Sequence, residues 1–272
     1  MPTPLEAIDR LIRVLETTRR QRALAKVEKW LAIRISRAFK AQRKAFLDAL
    51  PAPRVQEAEG DQLPFPEWAA AWTSAQESTW NEFDKPLQEA IRISLVSGYE
   101  TTLAELNIEG QFVLENTRAV EYARAHAAER VTQINQTTEK AIHRMVVQGT
   151  EQGLSYGEIA RNISDRFSEF AVPWPQEHIQ NRAHTVAVFE TGDAFEAGNM
   201  ELAQQLAASG LTMQKAWSTV GDDRVRPEHA ANQDEGWIPI GDTFQSGNER
   251  APTDPGCRCS ILYRVAPAEG EA

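Results

Sequence analysis

Apolar residues recur at three- and four-residue steps through most of this chain, and the rhythm changes only towards its end. Between Pro4 and Pro51 there is no Gly or Pro, and Val27, Leu31, Ile35, Phe39, Phe46 and Leu50 mark a turn-by-turn stripe. Residues 5–49 therefore read as one long helix, or a helix with a soft break. Four prolines and a glycine between Leu50 and Pro66 predict a linker or irregular loop. A second helical stretch follows from about Glu67 to Leu106, with Trp68, Trp72, Trp80 and Phe83 on one face as core. Pro86 is expected to kink or break it, and Gly98 is a second soft point. Asn107–Asn116 reads as a loop.

Helix resumes from about Thr117 to Gln152, where Val120, Ala123, Ala127, Val131, Ile134, Thr138, Ile142, Met145 and Val146 repeat at helical steps and Gly153 is a natural stop. Ser155 and Glu158 have capping-box spacing ahead of Ile159, Ile163 and Phe167, which predicts a short amphipathic helix. After the interruption AVPWPQ a longer helix is expected from about Pro175 to Ser209, closed by Gly210. Beyond Gly210 the pattern becomes strand-like at Lys215–Val220, turns at Gly221-Asp222, stays short and extended over Gly236–Phe244, and ends on an alternating strand in CRCSILYRV. The fold class that follows is mainly α: an elongated multi-helix body with a small α+β, loop-rich C-terminal subdomain. The expected divisions are a basic amphipathic helix (1–50), a Pro-rich linker (51–66), a helical region (67–116), a helical body (117–210), the α+β subdomain (211–265) and a tail (266–272).

Composition adds little to this picture, but charge adds more. The chain has 42% apolar and 25% charged residues, an ordinary globular balance, and no apolar run long enough for a membrane span or a signal core. Two cysteines exclude a disulfide framework and point to a reducing cytoplasm. The net charge is -10, yet residues 10–44 hold twelve Lys and Arg against Glu16 and Glu28, a local balance of +10 that leaves -20 for the rest. One reading is a solvated helix face. The sharper one is a surface for nucleic acid or an acidic partner, carried by Arg19, Arg20, Arg22, Lys26, Lys29, Arg34, Arg37, Lys40, Arg43 and Lys44.

The last sixty or so residues are too few and too loop-rich to bury a core alone, so they need a staple or a neighbour. The candidate staple is a structural zinc held by His229, Cys257 and Cys259, with a carboxylate as fourth ligand, Asp222 first among Asp222, Asp223 and Asp254. Arg258, between the thiols, would help keep them deprotonated. The alternative is a pair of reduced thiols packing under the loop. The polar loop with Asp222, Arg224, Arg226 and His229 likewise reads as a salt-linked turn or as a catalytic set with His229 as general base.

The runs Trp217-Ser218-Thr219, Asp222-x-Arg224-Val225-Arg226-x-x-His229 and Pro252-x-Asp254-Pro255-x-Cys257-Arg258-Cys259 resemble the C-terminal motif of the phage Mu F-like head morphogenesis proteins, minor head proteins of tailed phages and prophages. GTEQGLSYGEIARNISDRF and NRAHTVAVFETGDAFEAGN are similar to the helices that precede that motif, although this chain reads Ala183-His184-Thr185-Val186 where many members carry Arg-Thr-Glu. The resemblance covers about residues 120–262. It implies a non-enzymatic role in head assembly, with the portal protein and capsid or scaffold proteins as partners, packaged DNA within reach, and a place in the virion head after assembly in the host cytoplasm. Two rivals stand beside it. One is an enzyme, either an ADP-ribosyltransferase using Ser218-Thr219 and Gln233-x-Glu235 or a metal-dependent phosphodiesterase using His229 with Asp222 and Asp223. The other is a plain DNA-binding protein centred on the basic helix.

Overall fold

A computed structural model describes residues 4–51, 65–108, 117–174 and 182–267, the side chains of 4–19, 21, 65 and 117–119 excepted. Most of the predicted linker (52–64), most of the loop after Asn107 (109–116), the stretch 175–181, the end of the tail (268–272) and the Arg19 side chain lie outside these. The helices are α1 (Pro4–Ala49), α2 (Phe65–Glu105), α3 (Thr117–Glu151), α4 (Tyr156–Phe170), α5 (Arg182–Ala208) and α6 (Pro227–Asp234), and the strands β1 (Met213–Ser218), β2 (Trp237–Pro239) and β3 (Ser260–Val265). Mainly α with a small sheet near the C-terminus is thus the observed class. None of the described helices is long and apolar enough to cross a membrane.

The chain forms two compact units, one of residues 29–89 and 121–187, the other of 1–28, 90–120 and 188–272. In the first, the predicted stripes of α1 and α2 meet as a buried aromatic core, except that Trp80, expected in the α2 stripe, is only half-buried. Phe39 stands edge-on to Phe83 at 5.1 Å, Phe46 faces both Trp68 and Trp72, and Phe167 of α4 closes on Trp72. Such ring pairs add to the area they bury. The α4 capping box is formed in full: Glu158 N–H reaches Ser155 Oγ, and Ser155 N–H and Oγ donate to Glu158 Oε2. Arg182, half-buried, sits against this core. It lies 4.6 Å from the Phe170 ring centroid and donates to Thr138 Oγ1 and the Ile134 carbonyl, and burial lowers its pKa to about 10.

Two expectations for α2 are corrected. Pro86 does not divide it; the helix runs unbroken, with Phe83, Leu87 and Ala90 buried around the proline. Packing of that face outweighs the missing backbone hydrogen bond. Gly98 is not a soft point but a contact. In the second unit a Cβ at Gly98 would lie 1.9 Å from the Phe195 carbonyl oxygen, and one at Gly198 would lie 2.0 Å from that of Leu95. The two glycines let the backbones of α2 and α5 touch.

On the α5 side of this crossing lies the small sheet, antiparallel in the order β2-β1-β3, with Trp217 opposite Ile261 and Ala216 opposite Leu262. β1 begins two residues before the predicted strand and ends at Ser218, and only Trp237–Pro239 of the expected extended segment is strand. The subdomain does not rely on its own core. Met200 and Ala203 of α5 join Met213, Trp217, Phe244, Cys257, Cys259 and Ile261 in one buried cluster. The neighbour that its size requires is therefore α5.

Candidate metal centre

The polar loop read as a turn contains a helix. Pro227 occupies the first helical position of α6, where its missing N–H costs nothing, and His229 follows two residues later on the buried side. The other half of the site is a tight turn at Asp254-Pro255-Gly256-Cys257. The Asp254 carbonyl accepts from the Cys257 N–H at 3.0 Å, and Gly256 has φ 93°, which only glycine adopts freely. This turn delivers Cys257, and the chain enters β3 just past Cys259.

His229, Cys257 and Cys259 are brought together, all buried, with their ligand atoms within 4.8 Å of one another. Nδ1 of His229 lies 3.7 Å from Cys257 Sγ and 3.5 Å from Cys259 Sγ. A tetrahedral zinc with bonds of about 2.3 Å to sulfur and about 2.05 Å to nitrogen sets those ligand atoms about 3.6 Å apart. The His229 nitrogen thus stands from each sulfur at the separation a shared ion requires. Both thiols are free of disulfide.

The tautomer of His229 follows from its neighbours. Thr253 Oγ1 donates its single proton to Asp254 Oδ2 at 2.9 Å, so towards His229 Nε2, 3.2 Å away, it can only accept. Nε2 therefore carries the ring proton, and the Nδ1 lone pair faces the two sulfurs. That lone pair can take one thiol proton at most, whereas a cation satisfies it and both sulfurs together. Asp254 Oδ1 is in turn held by Arg226 at 2.5 Å. A histidine oriented by an outer chain of this kind is the usual arrangement at metal sites.

The thiols are an unequal pair. Cys257 is pulled down, first by the hydrogen bond from Cys259 and then, against burial, by the backbone N–H groups of Cys259 and Thr253. Cys259 is pushed up by the same hydrogen bond and by burial.

Asp222 is not brought to this group. It lies in an exposed turn, where it accepts from Arg258 and from the Arg224 N–H, and the Arg258 hydrogen bond holds its carboxyl below the usual range. Arg258 is thereby spent on Asp222 and does not flank the thiols. Asp254 serves Thr253 and Arg226 instead of the ion position. The proposed transferase residues are also occupied: Gln233 Oε1 accepts from the Thr219 N–H and hydroxyl at 2.9 Å, and Glu235 accepts from the Gln245 N–H. Trp217 is buried 5.2 Å from the His229 ring, as a wall of the site. Thr253 was missed in the sequence because a threonine next to an aspartate carries no spacing signal.

The basic residues of α1 separate into groups. Arg20 is largely buried and ion-paired with Glu196, Arg43 donates to Ser164 Oγ at 2.8 Å, and Lys44 pairs with Asp48. Arg34 lies 5.4 Å from the Trp30 ring centroid. Arg22, Lys26, Lys29, Arg34, Arg37, Lys40 and Lys44 are exposed. At 100° per residue, Lys29, Arg37, Lys40 and Lys44 fall within an arc of about 80°, a ridge about 22 Å long.

Residues 140–262 match the model of the family described as Phage Mu protein F like protein. The match starts within α3, later than the 120 expected from sequence, and ends in β3, so it takes in His229, Cys257 and Cys259. No curated protein and no solved structure matches the chain.

Proposed function

We propose that this chain, phage Mu F-like over residues 140–262, is a minor head protein that acts in phage head morphogenesis without catalytic turnover. The observation that carries the reading is that match, whose C-terminal end coincides with the buried His229–Cys257–Cys259 group. The group holds one structural zinc, which closes the Asp254–Cys257 turn onto α6 and staples the subdomain. A chain of this kind works through its surfaces. Its partners are the portal protein, capsid or scaffold proteins and, along the exposed lysines and arginines of α1, the phosphates of packaged DNA. It assembles in the host cytoplasm and ends in the virion head. The engagement of Asp222, Gln233 and Glu235 in local hydrogen bonds supports this over the enzyme readings.

The test is to express the chain with the portal and capsid proteins encoded beside it, purify the particles and identify their components by mass spectrometry. The reading expects the chain in particles and in a complex with the portal. Its absence from both would refute the proposal, as would turnover of labelled NAD or plasmid DNA that is lost in His229→Ala.

A further inference from the structure

One arginine ties the first helix to the backbone of the Cys-x-Cys segment. Arg20 Nη1 donates to the Cys259 carbonyl and lies 3.3 Å from Glu196 Oε1. Glu196 is fully buried, and its Oε2 accepts from the Ile261 N–H at 3.4 Å and from Asn199 Nδ2 at 3.1 Å. Asn199 Oδ1 accepts in turn from Thr102 Oγ1 at 2.9 Å. The Arg20–Glu196 pair therefore holds the peptide groups on either side of Ser260, directly after the last candidate ligand. The guanidinium also lies 6.0 Å from the Phe195 ring centroid and against Gly192, where a Cβ would come within 2.8 Å of Nη2.

We infer that the metal centre and residues 20–28 of α1 form one cooperative unit, in which an ion on His229, Cys257 and Cys259 fixes the Cys259 carbonyl towards Arg20 and so docks this part of the helix. The inference rests on the zinc reading given above. Once the Cys259 sulfur is fixed, little freedom remains in the direction of its carbonyl. Without the ion the Cys-x-Cys segment can turn, and Arg20 and Glu196 lose the backbone groups that satisfy them. A buried ion pair stripped of its supporting hydrogen bonds is costly to keep, so this stretch of the helix undocks. By linkage, the docked helix must favour the ion by the same factor that the ion favours docking. Arg22 and Lys26 are exposed on this stretch, so ion occupancy decides whether those cations are presented in a fixed orientation.

The test is hydrogen exchange of the full chain by mass spectrometry, with one equivalent of zinc chloride and again after chelation with EDTA. Zinc is expected to slow exchange at 254–261 and, on the order of tenfold, at 20–28. In Arg20→Gln and Gly192→Ala the ion still loads but protection at 20–28 is lost, and competition with a chromophoric chelator shows zinc affinity reduced by a comparable factor. Gly192→Ala removes no charge and displaces only the guanidinium. Together with the wild-type comparison it decides the matter even if Arg20→Gln does not fold. Protection at 254–261 with none at 20–28 overturns the coupling and leaves the zinc reading standing. Failure to bind zinc overturns both. Unchanged protection at 20–28 in both variants shows that Arg20 is not the link.

Discussion

Replacing Gly98 with alanine tests the crossing that positions α5 under the metal centre. On helix propensity alone, a glycine inside a helix should yield about 1 kcal/mol of stability on becoming alanine. The structure reverses that sign. The added Cβ would sit 1.9 Å from the Phe195 carbonyl oxygen, where ordinary carbon–oxygen contact is about 3.4 Å. The obstacle is backbone, so no side chain can swing aside, and the helices must part by more than about 1 Å. Overpacking of this kind costs roughly 1–3 kcal/mol, with this site at the upper end because both walls are helices. Offset by propensity, the net loss is about 2 kcal/mol, or roughly 4–8 °C in Tm for a protein of this size. Thermal unfolding followed by circular dichroism measures it, with Gly157→Ala as control. Gly157 meets nothing within 4 Å, so its variant should hold or gain stability. If Gly98→Ala is as stable as Gly157→Ala, the close approach of α2 and α5 is wrong.

Two further outcomes follow from the α4 cap and the α1 ridge. Ser155→Ala should cost about 1 kcal/mol through the α4 cap. Hydrogen bonds from Ser155 hold the Glu158 carboxyl below its usual range, so the stabilisation it adds is fully present above the ordinary carboxylate pKa and lost as pH falls through its lower folded value. The wild-type minus variant stability gap, measured by urea titration, should therefore shrink only in acid; a pH-independent gap refutes the box. If the α1 ridge contacts DNA through Lys29, Arg37, Lys40 and Lys44, the log–log salt dependence of binding should have a slope of about -4, falling towards zero when all four are replaced by glutamate. A slope unchanged in that variant assigns the contact elsewhere.

The helical body was legible because each long helix repeats its apolar residues at helical steps, and the capping box marks the start of α4 in the sequence itself. α6 was not legible: eight residues with no apolar side chain larger than alanine besides Pro227 show no stripe, and only Pro227 hinted at a helix start. Gly98 was misread because a contact to another helix leaves no local trace. At the site, the ligand trio was recoverable from residue type, whereas the fourth position was not. A carboxylate near a motif pairs with whichever cation the fold supplies, and for Asp222 that is Arg258. Arg20 reads in sequence as one of the cations offered to nucleic acid or a partner, although its place four residues before Leu24, in step with Leu31 and Ile35, puts it on the buried face. Two of the buried acids of α5, Asp193 and Glu196, find their partners Arg250 and Arg20 far away in sequence, beyond the reach of any spacing argument.

On the zinc reading, the Cys-x-Cys motif is a metal staple. X-ray absorption at the zinc K-edge on the purified full-length chain addresses it directly. The expected spectrum has sulfur scatterers at about 2.3 Å and nitrogen at about 2.0–2.1 Å. One zinc per chain is expected, with the sulfur shell depleted in Cys259→Ser. A folded chain that takes up no zinc, or zinc surrounded by nitrogen and oxygen alone, would contradict it.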